Sequence, residues 1–268
     1  MDFKGSQLRG CYILNLAGPV YRLYEYSLYR QLDKKHAPRH VGIILDGNRR
    51  YARRHGMEVP WFGHQKGATK VLEVLRILWE ANVKVCTIYA FSIENFQRSA
   101  DEVNEIMALA KEKFSEVVGN PDVHKHKVRI NAIGRVDLLP KEVQDSIYAA
   151  EEETKDYSDH ILNVAIGYSG RAELVDAVRA IGMKIERGEM SAADVDEDVI
   201  EDNLYTSGVP DPDLIIRTSG EERLSGFLLW QSAYSELYFA QIYWPAVRKI
   251  DVWRALRSYG QRARRYGK

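Results

Sequence analysis

Sulfur is scarce in this chain, and charge of one sign is not in excess. Only two cysteines occur in 268 residues, Cys11 and Cys86. They make no metal-type cluster, and reduced thiols in a cytoplasmic protein are the simple expectation. Lys+Arg and Asp+Glu both number 38, a balance that argues against general nucleic-acid affinity. The longest uncharged stretch of the N-terminal segment runs only from Gly10 to Tyr21, short of the roughly 20 apolar residues that cross a bilayer. Pro19 and the lack of an A-x-A pattern weigh against a signal peptide. No Walker A loop, no G-x-G-x-x-G and no G-x-S-x-G is found. Repeats and long linkers are missing too, which favours one domain.

Hydrophobic residues make up 45% and charged residues 28%, enough for a sizeable core and a solvated surface. Residues 1–39 stand apart, with seven cations against three anions. From Tyr12 to Leu32 this segment is rich in Leu and Tyr, with Arg22 and Arg30 between them. Two readings fit: an amphipathic helix that touches a membrane surface, or a helix packed on the domain.

From residue 40 onward, apolar runs alternate with amphipathic stretches. His40–Leu45, Val83–Phe91, Val128–Ile133, His160–Ile166 and Asp213–Arg217 read as strands. Helices are expected over 67–81, after Ser99 to about Val118, after Pro140, over Ala172–Glu186 and over Val252–Arg265. Ser99-Ala-Asp-Glu102 has the form of a capping box, with Glu102 reaching back to the Ser99 amide. The pattern predicts an α/β fold of a single domain, a mostly parallel central sheet flanked by helices. Ligands of such sheets bind beyond the carboxyl ends of the strands, and the polar motifs fall there.

Asp46-Gly-Asn-Arg-Arg50 follows the first strand. Gly47 permits close backbone approach, Arg49 and Arg50 can bond phosphate oxygens, and Asp46 can hold a metal that bridges to phosphate. An Asp-Gly turn by itself is commonplace. Ser92-Ile-Glu-Asn95 with Arg98 follows the second strand and also reads as a capped loop. Arg217-Thr-Ser-Gly-Glu-Glu-Arg223-Leu-Ser225 follows a later strand and suits a second diphosphate; a loop of ion pairs is its plainer reading. His64 can donate to phosphate or pack at a helix start. His124 and His126 lack a third ligand and read as surface residues. The acidic run Asp194–Asp202 is no EF-hand, since Val199 and Tyr205 occupy the sixth and twelfth positions; a solvated helix start is expected. Trp230, Tyr234, Tyr238, Phe239, Tyr243 and Trp244 are expected in the core or an interface.

Six ordered blocks resemble one family: HVGIILDGNRRYA (40–52), WFGH (61–64), VCTIYAFSIENFQR (85–98), LNVAIGYSGR (162–171), DLIIRTSGEERLSGFLLWQSAYSELYF (213–239) and RRYG (264–267). They look like the cis-prenyltransferases, the undecaprenyl and dehydrodolichyl diphosphate synthases, in wording nearer to archaeal and eukaryotic members. The likeness implies a catalytic domain over 40–268 with an apolar tunnel. It implies repeated condensation of isopentenyl diphosphate onto an allylic diphosphate, farnesyl or geranylgeranyl, to a long Z-polyprenyl diphosphate for carrier lipids. Asp46 would bind Mg²⁺ and direct catalysis, with Glu236 completing the metal site and Asn95 assisting proton transfer. Gly47, Asn48, Arg49, Arg50 and Tyr51 would form the allylic diphosphate loop beside His64 and Arg98. Ser92, Ile93, Glu94 and Phe96 would line the allylic site, and Arg217, Arg223, Leu224 and Ser225 would hold isopentenyl diphosphate. A homodimer is implied, in which Arg265 and Gly267 reach the neighbouring subunit's site. The D-D-x-x-D motif of trans-type synthases is missing. Pro60 departs from the pattern by standing where many members have Arg, and Arg53 or Arg54 is a candidate substitute. Gly226 also departs, standing where bacterial members have Asn.

Two rival readings exist. A non-catalytic partner subunit of the same family would lose the metal Asp and parts of the arginine set, all present here. A basic tail of Arg254, Arg257, Arg262, Arg264, Arg265 and Lys268 could contact nucleic acid or membrane, but no nucleic acid partner is expected. A cytoplasmic enzyme is expected, peripheral to the membrane if the N-terminal segment follows the first of its two readings.

Overall fold

The apolar runs become strands that pair side by side in one direction. A computed structural model describes residues 10–32, 36–59 and 61–262, with 10–17 as backbone only. The strands are β1 (His40–Ile44), β2 (Val85–Ser92), β3 (Val128–Ile133), β4 (His160–Tyr168), β5 (Leu214–Arg217) and β6 (Glu236–Phe239). Their order is β3-β4-β2-β1-β5-β6, and every neighbouring pair is parallel. β1 is buried at all of its positions, as a central parallel strand must be. β2 lies on one side of β1 and β5 on the other, so the chain changes direction across the sheet there, leaving a crevice beyond the strand ends.

The helices are α1 (Gly10–Arg30), α2 (Asn48–Arg54), α3 (Phe62–Glu80), α4 (Ala100–Val117), α5 (Pro121–Lys125), α6 (Lys141–Thr154), α7 (Gly170–Glu186), α8 (Glu197–Glu201) and α9 (Lys249–Gln261). Val41 and Ile43 of β1 face a large core shared with α3, α4, α6 and α9. Ile44 turns to the other side and joins Tyr168, Ile215, Phe227 and Leu228. That is the period-two alternation of a strand covered on both faces.

A file of polar side chains crosses the sheet. Asn131 donates to Asn163 at 2.9 Å, and Asn163 to Thr87 at 3.2 Å. His40 Nε2 lies 2.8 Å from Thr87 Oγ1, and its Nδ1 lies 2.6 Å from the Pro210 carbonyl. Only an Nδ1–H tautomer satisfies that carbonyl. Burial is the main cause that lowers the His40 pKa to about 4. At the outer edge, Thr154 and Glu151 of α6 accept from the Ile130 and Ala132 amides at 3.0 and 2.8 Å. These bonds occupy donors that an open edge would offer to another chain.

Several expectations need correction. α3 begins at Phe62, five residues before the periodic stretch, because Gly63 and Gly67 hide its first turns from a pattern search. β6 was not anticipated: four aromatic-rich residues inside a crowded segment give little alternation. His124 and His126 are half-buried rather than surface residues. His124 bonds the Tyr157 hydroxyl at 2.9 Å, and His126 stacks on Trp79 at 4.4 Å. The acidic run is a solvated helix start, with Asp196 accepting from the Val199 amide at the start of α8.

α1 packs along α9. Tyr29 meets Trp253 with ring centroids 5.1 Å apart, Arg254 donates to the Tyr24 hydroxyl at 3.1 Å, and Leu28 is fully buried. The opposite face leaves Val20, Leu23 and Tyr26 exposed. No helix among the described residues is long and apolar enough to cross a membrane.

Candidate active site

Strand register builds the centre of the site. Ile44 pairs with Arg217 across β1 and β5, so Asp46, two residues beyond Ile44, sits over the end of Arg217. Arg217 Nη2 donates to Asp46 Oδ2 at 2.8 Å, and Arg50 Nη2 donates to Oδ1 at 3.1 Å. Burial pushes the Asp46 carboxyl up, but bonds from Arg217, Ser219 and Arg50 outweigh it and hold the pKa below the usual carboxylate range. Arg217 is only 4% exposed. It also donates to Ser225 Oγ at 2.8 Å and to the Arg223 carbonyl. Its Nε is buried with no hydrogen-bond partner among the described residues.

The loop after β1 can turn this sharply because Gly47 has φ +104°, and a Cβ there would lie 2.8 Å from the Tyr243 ring. At Gly67 a Cβ would lie 2.3 Å from Asn48 Oδ1, so glycine lets α3 close on the loop. Asn48 donates to the Leu45 carbonyl at 2.8 Å.

Asp46, Gly47, Asn48, Arg49, Arg50, Arg53, His64 and Arg98 line a polar cleft of about 440 Å³ with Leu45. Arg53, and not Arg54, is the extra cation there. A second cavity of about 380 Å³ runs between α3, α4 and the sheet. Leu72, Leu75, Ile106 and Phe114 line its length, and Val123 and Val128 its far part. Leu45, Asn48 and His64 belong to both walls, so the cationic cleft adjoins an apolar cavity.

Arg49, His64 and Arg98 converge on one residue. Arg98 Nη1 donates to Glu102 Oε1 at 2.9 Å, His64 Nε2 lies 3.2 Å from the same oxygen, and Arg49 Nε lies 3.8 Å from Oε2. Beyond Asp46, Glu221 joins the two arginine groups, accepting from Arg50 at 2.9 Å and from Arg223 at 2.5 Å. Neither Glu102 nor Glu221 was among the residues expected in the site.

Other expected residues do not line that polar cleft. Ser92–Phe96 form the end of β2 and a 3-10 turn over Ile93–Gln97. There Asn95 Oδ1 accepts from the Ser92 amide at 3.2 Å, Phe96 packs edge-on against Phe91 at 4.9 Å, and Glu94 is exposed. Tyr51 lies over His55, ring centroids 4.0 Å apart. Leu224 packs beside the small cluster that contains Phe227. Glu236 pairs with Leu214 at the start of β5, three residues before Arg217. That is roughly 10 Å down the sheet at about 3.3 Å per residue, so one chain does not bring Glu236 to Asp46. Its carboxylate is paired with Arg262. Arg265, Gly267 and Pro60 lie outside the described residues.

The donor set fits a particular kind of metal site. Among the described residues no three His, Cys, Asp or Glu side chains cluster as a cage. Asp46 offers a single carboxylate beside cations that attract phosphate. Mg²⁺ is held in that way, by one or two carboxylates, phosphate oxygens and water.

Comparison with known proteins agrees with this architecture. The prenyltransferase family model described as "Putative undecaprenyl diphosphate synthase" matches residues 44–267. The chain is 50% identical to the tritrans,polycis-undecaprenyl-diphosphate synthase (geranylgeranyl-diphosphate specific) of Methanocaldococcus jannaschii, over 93% of this chain and 89% of that one. It is 47% identical to the enzyme of the same name from Pyrococcus horikoshii, over 93% and 94%. Among solved structures, lavandulyl diphosphate synthase from Lavandula x intermedia, in complex with dimethylallyl diphosphate, superposes with a TM-score of 0.81 at 34% identity, covering 87% of this chain and 99% of that one. A probable undecaprenyl diphosphate synthase from Campylobacter jejuni gives 0.70 at 28%, covering 86% and 99%. With a parallel sheet, a cationic cleft at its carboxyl edge and matches over most of its length, the chain belongs to the undecaprenyl diphosphate synthase family of prenyltransferases.

Proposed function

We propose that this enzyme is a Mg²⁺-dependent cis-prenyltransferase that adds isopentenyl diphosphate repeatedly to geranylgeranyl diphosphate, giving a long Z-polyprenyl diphosphate for carrier-lipid synthesis. One observation carries the reading. The cationic cleft and the apolar cavity share Leu45, Asn48 and His64, and an allylic diphosphate has an anionic head on an apolar chain. The starter follows the archaeal relatives, whose names specify geranylgeranyl diphosphate.

Arg49, Arg50 and Arg98 receive the allylic diphosphate, and Arg217, Arg223 and Ser225 receive isopentenyl diphosphate. Asp46 lies between the two sets and would hold Mg²⁺, which when bound neutralises developing charge on the leaving diphosphate. As the allylic C1–O bond breaks, the electron pair leaves with diphosphate, and fixed arginine donors stabilise it. The isopentenyl double bond then supplies electrons to C1, and the proton lost from the neighbouring carbon passes to the released diphosphate, with Asn95 assisting by hydrogen bonding. The lengthening chain passes into the apolar cavity.

Residues 40–268 form the catalytic domain, and residues 1–39 a segment that meets a membrane surface through Val20, Leu23 and Tyr26 on α1. Two copies pair through the 230–244 region, where Tyr234 is 83% exposed, and Arg265 and Gly267 reach the second site. Incubation with labelled isopentenyl diphosphate, Mg²⁺ and either farnesyl or geranylgeranyl diphosphate tests the activity and the starter. Long labelled product from geranylgeranyl diphosphate supports the reading; no elongation of either starter refutes it.

A further inference from the structure

Glu102 has no place in the chemistry described above, yet its carboxylate is the meeting point of three basic side chains in the cleft. It is 5% exposed. Arg98 and His64 share its Oε1 at 2.9 and 3.2 Å, and Arg49 approaches Oε2 at 3.8 Å. We infer that Glu102 is the positioning residue of the allylic diphosphate pocket, holding Arg49 and Arg98 in place for the anion, with His64 fixed beside them, and not touching the anion itself. The inference rests on the assignment of this cleft to the allylic diphosphate.

Local structure supports it. Glu102 stands three residues after Ser99 at the start of α4, where a capping glutamate would turn back to the Ser99 amide. Half of that box is present: Ser99 Oγ accepts from the Glu102 amide at 3.4 Å. The carboxylate is engaged instead with Arg98 and His64. A cap given up for contacts across 38 residues is the kind of local rule that is broken where function requires it.

The physical reason is repulsion among cations. Two guanidiniums gathered in one cleft would turn away from each other into water. A buried carboxylate beneath them offsets that repulsion and fixes their directions before substrate arrives, so less ordering remains to be done on binding. Arg98 commits Nη1 to Glu102, and a guanidinium has further N–H groups for phosphate. For His64 the consequence is a tautomer. Burial, with Arg98 and Arg49 nearby, lowers the His64 pKa against the opposing pull of Glu102, which favours the neutral ring. A carboxylate between arginines only accepts, so Nε2 carries the proton. The Nε2 donor is therefore spent on Glu102 and is not available to the diphosphate.

The test compares Glu102→Gln, which keeps shape and one acceptor, with Glu102→Ala, Arg98→Ala and the Arg98→Ala/Glu102→Ala double variant. Apparent KM for geranylgeranyl diphosphate and for isopentenyl diphosphate are measured separately. Glu102→Gln should raise the starter KM about tenfold while the isopentenyl diphosphate KM stays within about twofold. The double variant should be little worse than Arg98→Ala, because both changes remove one arrangement. A merely structural glutamate would lower the melting temperature and shift both KM values together. Where Glu102 variants unfold, imidazole ¹⁵N shifts of the intact enzyme decide, with His64→Asn assigning the signal. A neutral Nε2–H ring supports the inference, and an Nδ1–H ring overturns it. Arg98→Ala with an unchanged starter KM would sink the cleft assignment. A shifted Arg98→Ala beside a folded, unshifted Glu102→Gln would sink the Glu102 inference alone.

Discussion

Replacing Asp46 separates two jobs that one carboxylate performs. From sequence alone, an Asp at a strand end is a turn residue whose loss spares the fold. The structure changes that expectation, because both Asp46 oxygens neutralise arginines, one of them only 4% exposed. Truncating one partner of a fully buried pair costs about 3–5 kcal/mol. The Asp46 side chain keeps a quarter of its exposure, so solvent screens part of the loss, and roughly 2 kcal/mol is the scale for Asp46→Ala. Asp46→Asn retains one acceptor but turns an NH₂ group towards a guanidinium, and about 1–2 kcal/mol is expected. Losing the metal-bearing charge should lower prenyl transfer at least about 10³-fold, some 4 kcal/mol in the barrier. The assay is labelled product formation across a Mg²⁺ titration, with circular dichroism melts as the folding control. A folded Asn variant with near-normal turnover and unchanged Mg²⁺ dependence would refute the reasoning, since Asn serves a turn as well as Asp does.

Arg223→Ala should raise the apparent KM for isopentenyl diphosphate roughly tenfold to a hundredfold, leaving starter kinetics nearly unchanged; a change confined to the starter would reverse the assignment. His40 carries a pH signature in stability. Its folded pKa of about 4 lies below the ordinary His value, so the unfolded chain takes the proton first. Stability is full above pH 6.5 and falls as pH drops to 4, by roughly 3 kcal/mol; urea melts of His40→Gln should lose that slope, and an unchanged slope would discount His40. Leu23→Glu should weaken binding to anionic vesicles without changing turnover of a short soluble starter, and equal binding would remove the membrane role of α1. Tyr234→Glu should shift light scattering from dimer to monomer, and a wild-type protein already monomeric at micromolar concentration would remove the dimer.

Residue chemistry and short-range periodicity carried much of this protein. The run from His40 into Asp46 declares a buried strand and a polar turn without help from distant residues. Val128–Ile133 is legible for the same reason, and the helix after Ser99 announces its own start. The arginine groups at strand ends could be placed at one edge of the sheet because parallel strands align their carboxyl ends. What sequence could not supply were relations set by register and packing. Asp46 meets Arg217 only because Ile44 and Arg217 are paired across β1 and β5. Glu236 falls at the start of β6, far down the sheet from Asp46 in the same chain, a matter of register that no local pattern states. The packing of α1 along α9 is likewise set by contacts between distant residues. Glu102 looked like a cap, and the choice between its own helix start and three basic side chains was made by α3 closing on the loop after β1. Such choices depend on which groups are neighbours after burial, and an unpaired buried charge costs several kcal/mol more than a forgone cap. Only the folded chain brings those alternatives into competition.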